Sequence, residues 1–192
     1  MILQTDRLLL RTIDEADAEG LFEYAKDPEV GPIAGWPPHK SVKETRKVIR
    51  DVLSGPECYA ICRKVDGSVI GVIELKLRGR TDLTDQKNEC ELGYWLGRPF
   101  WGQELMPEAV RELLRYAFEE LGMEKIWAGY YEGNDRSRRV QEKCGFRHVR
   151  TTENVEVPRL HETRRGHVSC LTREDWDELE DAAEQAEPSG VI

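Results

Sequence analysis

Three stretches of this chain hold residue types whose spacing suits chemistry. From Gly102 to Pro107 a loop runs into a helix, and such an entry presents unpaired backbone N–H groups at the positive end of a helix dipole, a ready site for a pyrophosphate. Asn134 and Ser137 stand three apart at the opening of a second helix. There an asparagine cap with a serine bonding back along the first turn accounts for both, and does not prevent either from touching a ligand. Arg136, Arg138 and Arg139 follow on the same helix and can pair with phosphates, although a charge run is more often a solvated face. No Cys-His or Ser-His-Asp spacing points to a covalent intermediate. His39, His148, His161 and His167 show no metal-ligand spacing, and the five scattered cysteines read as free thiols of a reducing compartment, so no metal is expected.

These residues need elements to hold them. The apolar positions Ala109, Val110, Leu113, Leu114, Ala117, Phe118 and Leu121 recur at helical spacing and predict a helix over 106–121, with Pro107 in its first turn and Gly122 just past its end. Before it, a strand over 90–96 stops at Gly97-Arg98-Pro99; after it come a strand over 125–131, a helix over 134–144 and a strand over 146–152. The first half reads as a strand over 3–13, a helix from Asp14 to Tyr24, a Gly- and Pro-rich loop over 31–38, and a helix opened by Ser41-x-x-Glu44. A hairpin of strands over 58–65 and 69–77 then turns at Asp66-Gly67. A strand over 164–170 and a helix opened by Thr172-x-x-Asp175 close the pattern. The order predicts an α/β (α+β) mixed sheet of about seven strands, mostly antiparallel, with helices on both faces.

With 192 residues, 39% of them hydrophobic and 34% charged, one folded domain over 1–183 with a frayed tail over 184–192 is expected. A net charge of -9 argues against a nucleic-acid partner. No run is apolar enough for a membrane span and no leader is visible, so a cytoplasmic protein is expected.

The stretch from Glu91 to Phe146 reads ELGYWL, GRPFW, GQELMPEA, KIWAGYY, NDRSRRVQEKC and GF. In that order and spacing it resembles the acyl-CoA-binding core of the GNAT superfamily of N-acetyltransferases, and within it the ribosomal-protein N-terminal acetyltransferase branch. With the opening TDRLLLR the similarity covers about residues 1–172. The resemblance implies a V-shaped splay between the strands at 90–96 and 125–131, filled by the pantetheine arm of acetyl-CoA. It assigns cofactor contacts to Tyr94, Trp95, Leu96, Trp101, Gly102, Gln103, Glu104, Leu105, Met106, Asn134, Ser137 and Arg139. Ser137 becomes the donor to the departing thiolate, with Asn134 beside it. The implied reaction is direct attack of an amine, from a protein N-terminus or a small molecule, on the acetyl carbonyl, with backbone N–H groups of 94–96 holding the oxyanion. Glu91 is the chosen base, with Glu89 second, and both are otherwise surface carboxylates on a strand edge. Trp36 and His39 wall the acceptor side, where Trp36 acts as a lid or plugs the core. Members are monomers or homodimers.

One position departs from the family. Two residues after Gly102, where glycine is usual, stands Glu104. A carboxylate ~6 Å from a phosphate would weaken binding about a hundredfold, whereas a side chain turned to solvent would leave binding intact. A non-catalytic acyl-CoA sensor or interaction domain with the same fold is the alternative that this substitution raises.

Overall fold

The computed structural model describes residues 1–186. One eight-stranded sheet runs in the order β1-β2-β3-β4-β5-β6-β8-β7. Its strands are β1 Ile2–Gln4, β2 Leu8–Thr12, β3 Cys58–Arg63, β4 Val69–Lys76, β5 Glu89–Leu96, β6 Lys125–Tyr131, β7 Arg147–Val157 and β8 Glu162–Thr172. Every neighbouring pair is antiparallel except β5 with β6. The count exceeds the expected seven because the strand read over 3–13 folds back on itself at Thr5 to Arg7, pairing Leu3 with Leu10. The turn residues Thr5, Asp6 and Arg7 are polar, and the side chains of Thr5 and Arg7 hold the turn by bonding to Glu108, so the segment is a hairpin and not a single strand. The last two strands reach well beyond 146–152 and 164–170 and form a long arm whose outer strand, β7, is mostly exposed.

Period-two alternation decides which residues meet which helices. On β5, Cys90, Leu92, Tyr94 and Leu96 join the larger core beneath α3 (Leu105–Arg115), while Trp95 on the opposite face packs on the smaller core of α1 (Ala18–Ala25) and α2 (Val42–Asp51). Helix α3 buries Leu105, Met106, Ala109, Val110, Leu113 and Leu114, then widens into a π turn over Tyr116–Glu120. Helices α4 (Asp135–Lys143) and α5 (Arg173–Ala186) complete the set. The cap expected at Thr172 and Asp175 is reciprocal, each side chain accepting from the other's backbone N–H. At Ser41 only half of the expected box forms, because the Glu44 carboxylate takes the N–H of Lys40. The tail expected from 184 continues α5 as far as 186, and the rest lies outside the described residues.

The feature that positions the site is a parting of strands. β5 and β6 pair only from Glu89 with Lys125 to Leu92 with Ala128. Beyond that, β5 stays on β4 as far as Leu96, and β6 stays on β8 as far as Tyr131. Each strand thus follows its antiparallel partner, leaving the edges of 93–96 and 129–131 facing one another without pairing.

Candidate active site

A cleft of about 250 Å³ runs from this gap to the start of α3. Of the residues expected to contact the donor, it is lined by Tyr94, Trp95, Leu96, Trp101, Gly102, Glu104, Leu105, Met106, Asn134, Ser137 and Arg139. Gln103 is turned away, its amide donating to the Pro99 carbonyl at 2.8 Å. Among the described residues, the backbone N–H groups of Gly102, Gln103, Glu104, Leu105 and Met106 have no acceptor. Five free donors at a helix N-terminus are the arrangement a diphosphate requires. Pro107 follows them and takes no part, having no N–H.

The loop is held open by backbone twist and a remote clamp. Gly102 at φ 72° and Glu104 at φ 60° are both left-handed, which explains the family's preference for glycine at the second position as well as the first. Thr5 Oγ and the Arg7 N–H donate to Glu108 Oε1 at 2.5 and 2.9 Å, and Arg7 Nε donates to Oε2 at 2.6 Å. Arg7 also donates to the Gln103 carbonyl at 3.0 Å. The TDR turn at the N-terminus and Glu108 of the MPEA segment, separate motifs in the sequence, therefore interlock to fix the loop. Neither Thr5 nor Arg7 was a sequence candidate, and nothing local to either marks the contact.

Glu104 itself is bonded to Lys143 and half exposed at the cleft's rim. Lys143 holds its carboxyl below the ordinary range. Arg136 stacks on Trp101, its guanidinium carbon 3.8 Å from the ring centroid, while Trp101 Nε1 donates to the Leu96 carbonyl at 2.8 Å. Arg136 and Arg139 line the cleft and form no ion pair among the described residues, whereas Arg138 is committed to Asp135 and Glu142. Arg136 was read in the sequence only as part of a charge run, since its stacking partner lies 35 positions away.

At the floor of the gap Tyr94 reaches across to α4. Its hydroxyl lies 3.0 Å from Ser137 Oγ, and Gln141 Nε2 donates to the same oxygen at 3.3 Å. Asn134 caps the helix by accepting from the Ser137 N–H at 3.2 Å. Burial pushes the Tyr94 phenol well up, so it stays a neutral donor. With Gln141 already donating to Ser137, the serine's own proton is free to point elsewhere.

A second cavity, about 860 Å³, opens on the α1–α2 face and shares Ala34, Tyr94, Trp95, Asn134 and Ser137 with the first. Trp36 and His39 line it, as expected. Trp36 packs edge-on to Trp95 at 5.6 Å and against His39 at 5.2 Å, so it both walls the cavity and plugs the top of the gap. Its loop is anchored to the far side by Arg164, which donates to the Pro32 carbonyl at 2.6 Å. Burial lowers the proton affinity of His39, whose Nδ1 lies 2.9 Å from Thr45 Oγ. Glu91 lines this cavity with both oxygens engaged, at 2.7 Å by Lys76 and 2.5 Å by Thr81. Glu89 bonds to Thr84 and Trp127.

Burial raises the thiols of Cys58 and Cys90 to about 12 and of Cys144 and Cys170 to about 11, which keeps them from acting as thiolate nucleophiles. Among the described residues no cluster of His, Cys, Asp and Glu is placed to hold a metal, and no helix is long and apolar enough to cross a membrane.

A family model described as Acetyltransferase (GNAT) domain matches residues 7–147. "Uncharacterized N-acetyltransferase p20" of Bacillus licheniformis is 32% identical over 150 residues, covering 75% of this chain and 81% of that protein. "Putative ribosomal N-acetyltransferase YdaF" of Bacillus subtilis is 37% identical over 81 residues, 42% of each chain. The crystal structure of an acetyltransferase (GNAT family) from Bacillus anthracis superposes with a TM-score of 0.79 at 22% identity, over 91% of this chain and 99% of the other, a likeness of fold.

Proposed function

The chain belongs to the GNAT acetyltransferases and is an N-acetyltransferase; from that premise we propose that its donor is acetyl-CoA and that an amine attacks the thioester directly in a ternary complex. The observation that carries this reading is the row of free amides from Gly102 to Met106 opening onto the unpaired edges of β5 and β6. Those amides, with Arg136 and Arg139 at the rim, take the diphosphate. The edge of β5 beyond Leu92 offers main-chain partners to the extended pantetheine, as an added strand would. The carboxylate of Glu104, drawn to Lys143, leaves the amides clear, which favours an enzyme over a sensor with a closed site.

Bound this way, the donor supplies an activated acetyl group where the two cavities meet. Backbone N–H groups of 94–96 hold the charge that develops on the carbonyl oxygen. Ser137, poised by Tyr94 and Gln141, delivers a proton to the sulfur as it leaves. The acceptor enters from the α1–α2 face, where the larger cavity accommodates the end of a peptide as well as a small amine. A protein N-terminal α-amine suits the site best. About a tenth of such groups are neutral at pH 7, against roughly one in 2,500 lysine side chains. A relative of this chain carries a ribosomal acetyltransferase name.

The test is thiol release from acetyl-CoA with peptides bearing N-terminal alanine or serine and with spermidine. Release dependent on the amine is expected. Calorimetric binding of CoA without release from any of these amines would replace the transferase reading with that of a sensor.

A further inference from the structure

Pairing between β5 and β6 ends at Leu92, and the residue beside the first unpaired position, Gly93, on β4 is Glu74. A Cβ at position 93 would stand 3.3 Å from Glu74 Cγ and Oε1 and 3.2 Å from Lys76 Cε. The absence of a side chain at Gly93 gives the Glu74 carboxylate room to lie against β5 beside the gap. The four acids lining the larger cavity differ in their circumstances. Asp82 and Glu156 are exposed, and Glu91 is held on both oxygens by Lys76 and Thr81. Glu74 is half-buried and has neither hydrogen bond nor ion pair among the described residues. Leaving a carboxylate in a cleft without a partner is unfavourable for folding, and such groups mark places where a ligand completes the set.

We propose that Glu74, rather than Glu91, receives the acceptor's ammonium and takes its proton, an inference that rests on the amine-transfer reading above. One ammonium proton passes to a Glu74 oxygen and from there to solvent. The nitrogen lone pair then forms the C–N bond while the C–S bond breaks. A second nitrogen proton leaves as the amide forms and reaches the sulfur by way of the Ser137 hydroxyl, and the third remains on the amide. Trp36 and Trp95, packed edge to face, wall the approach with aromatic surface, which favours a cationic primary amine passing beside them.

The groups that face Glu74 are consistent with this role. Lys76 extends from its own strand but commits its ammonium to Glu91 on β5, Arg80 lies in the loop beyond β4, and Cys58 is its register partner on β3. From α1, α2 and the loop before α2 the cavity receives apolar side chains, Thr45 and His39. Burial raises the Glu74 carboxyl, Glu91 adds to the rise, and Lys76 and Arg80 oppose it without cancelling it. A base moved toward neutral pH is better matched to an α-amine.

Rates measured across pH with acetyl-CoA and an N-terminal alanine peptide decide the matter. Glu74→Gln should lower kcat/KM by about a hundredfold and remove the rise of rate with pH on the acid side. Its affinity for CoA, read by calorimetry, should be unchanged, which also shows that it folds. Glu74→Asp should keep the acid limb at reduced rate, and Glu91→Gln should keep the limb but move it to lower pH, because Glu91 no longer raises the Glu74 carboxyl and Lys76 is released toward it. An unaltered pH profile in Glu74→Gln, or loss of the limb in His39→Asn instead, overturns the assignment of Glu74 alone. Absence of thiol release by the native protein overturns the transfer reading beneath it.

Discussion

On the α3 side of the β5–β6 gap, the surface proposed to meet the donor is mostly main chain. It consists of five amides in a loop whose shape comes from two left-handed residues and a clamp to the N-terminal turn. On the α1–α2 side, the surface proposed to meet the acceptor is side chains: Trp36 and His39 from a loop, Glu74 from β4, and Trp95 from β5. Main-chain recognition tolerates substitution as long as the backbone keeps its path, because the donors are present whatever the side chains. Side-chain recognition changes with every substitution. This chain shows both consequences, since Glu104 replaces a usual glycine without filling the cleft, while the acceptor cavity hangs on the identities of a few residues brought from afar.

The contrast can be tested at its strongest point by removing the one side chain on the donor side assigned a chemical step. Ser137→Ala should lower kcat by about a hundredfold while leaving the calorimetric affinity for CoA unchanged, because binding rests on amides and the serine acts only as sulfur departs. Equal losses in kcat and in affinity would mean that Ser137 binds rather than reacts.

A smaller effect is expected where the backbone path is fixed. Glu108→Gln weakens the bonds from Thr5 and Arg7 and should destabilise the fold by ~2 kcal/mol, seen as a lowered Tm. Burial raises the Glu108 carboxyl, but bonds from Thr5 and Arg7 outweigh it and leave it below the ordinary value. The contribution is therefore present above the unfolded value of about 4.3 and is lost as pH falls through the lower folded one. The Tm difference between native and Glu108→Gln should be full at neutral pH and vanish in acid.

The smallest expected change is a gain. Glu104→Gly removes a left-handed non-glycine residue and frees Lys143 toward the cleft, so affinity for CoA should rise about fivefold at low salt and less at high salt. A loss of affinity would show that the Glu104 side chain, and not the loop backbone alone, shapes the donor site.

Sequence alone reached far on the donor side for a physical reason. A helix start, a cap and a strand end are local events, written within a few residues of one another, as in the loop from Gly102 to Pro107 and the Asn134 and Ser137 pair. The apolar stripe of α3 is likewise a periodicity of a contiguous segment and carried that helix, whereas the parting of β5 from β6 was implied only by the resemblance to a family. The turn at Thr5 to Arg7 escaped because the polar residues that break the strand are held by Glu108, about a hundred positions away.

What only the tertiary structure decided is which charges are occupied. Glu91 and Glu74 are both acids on strands, and nothing near either in the chain distinguishes them. Lys76 and Thr81 close on one, while Gly93 makes room for the other across a strand pairing. Sequence determines which groups exist and the local geometry of each; whether a carboxylate is satisfied or free depends on partners that only the folded chain brings within 3 Å, the reach of a hydrogen bond.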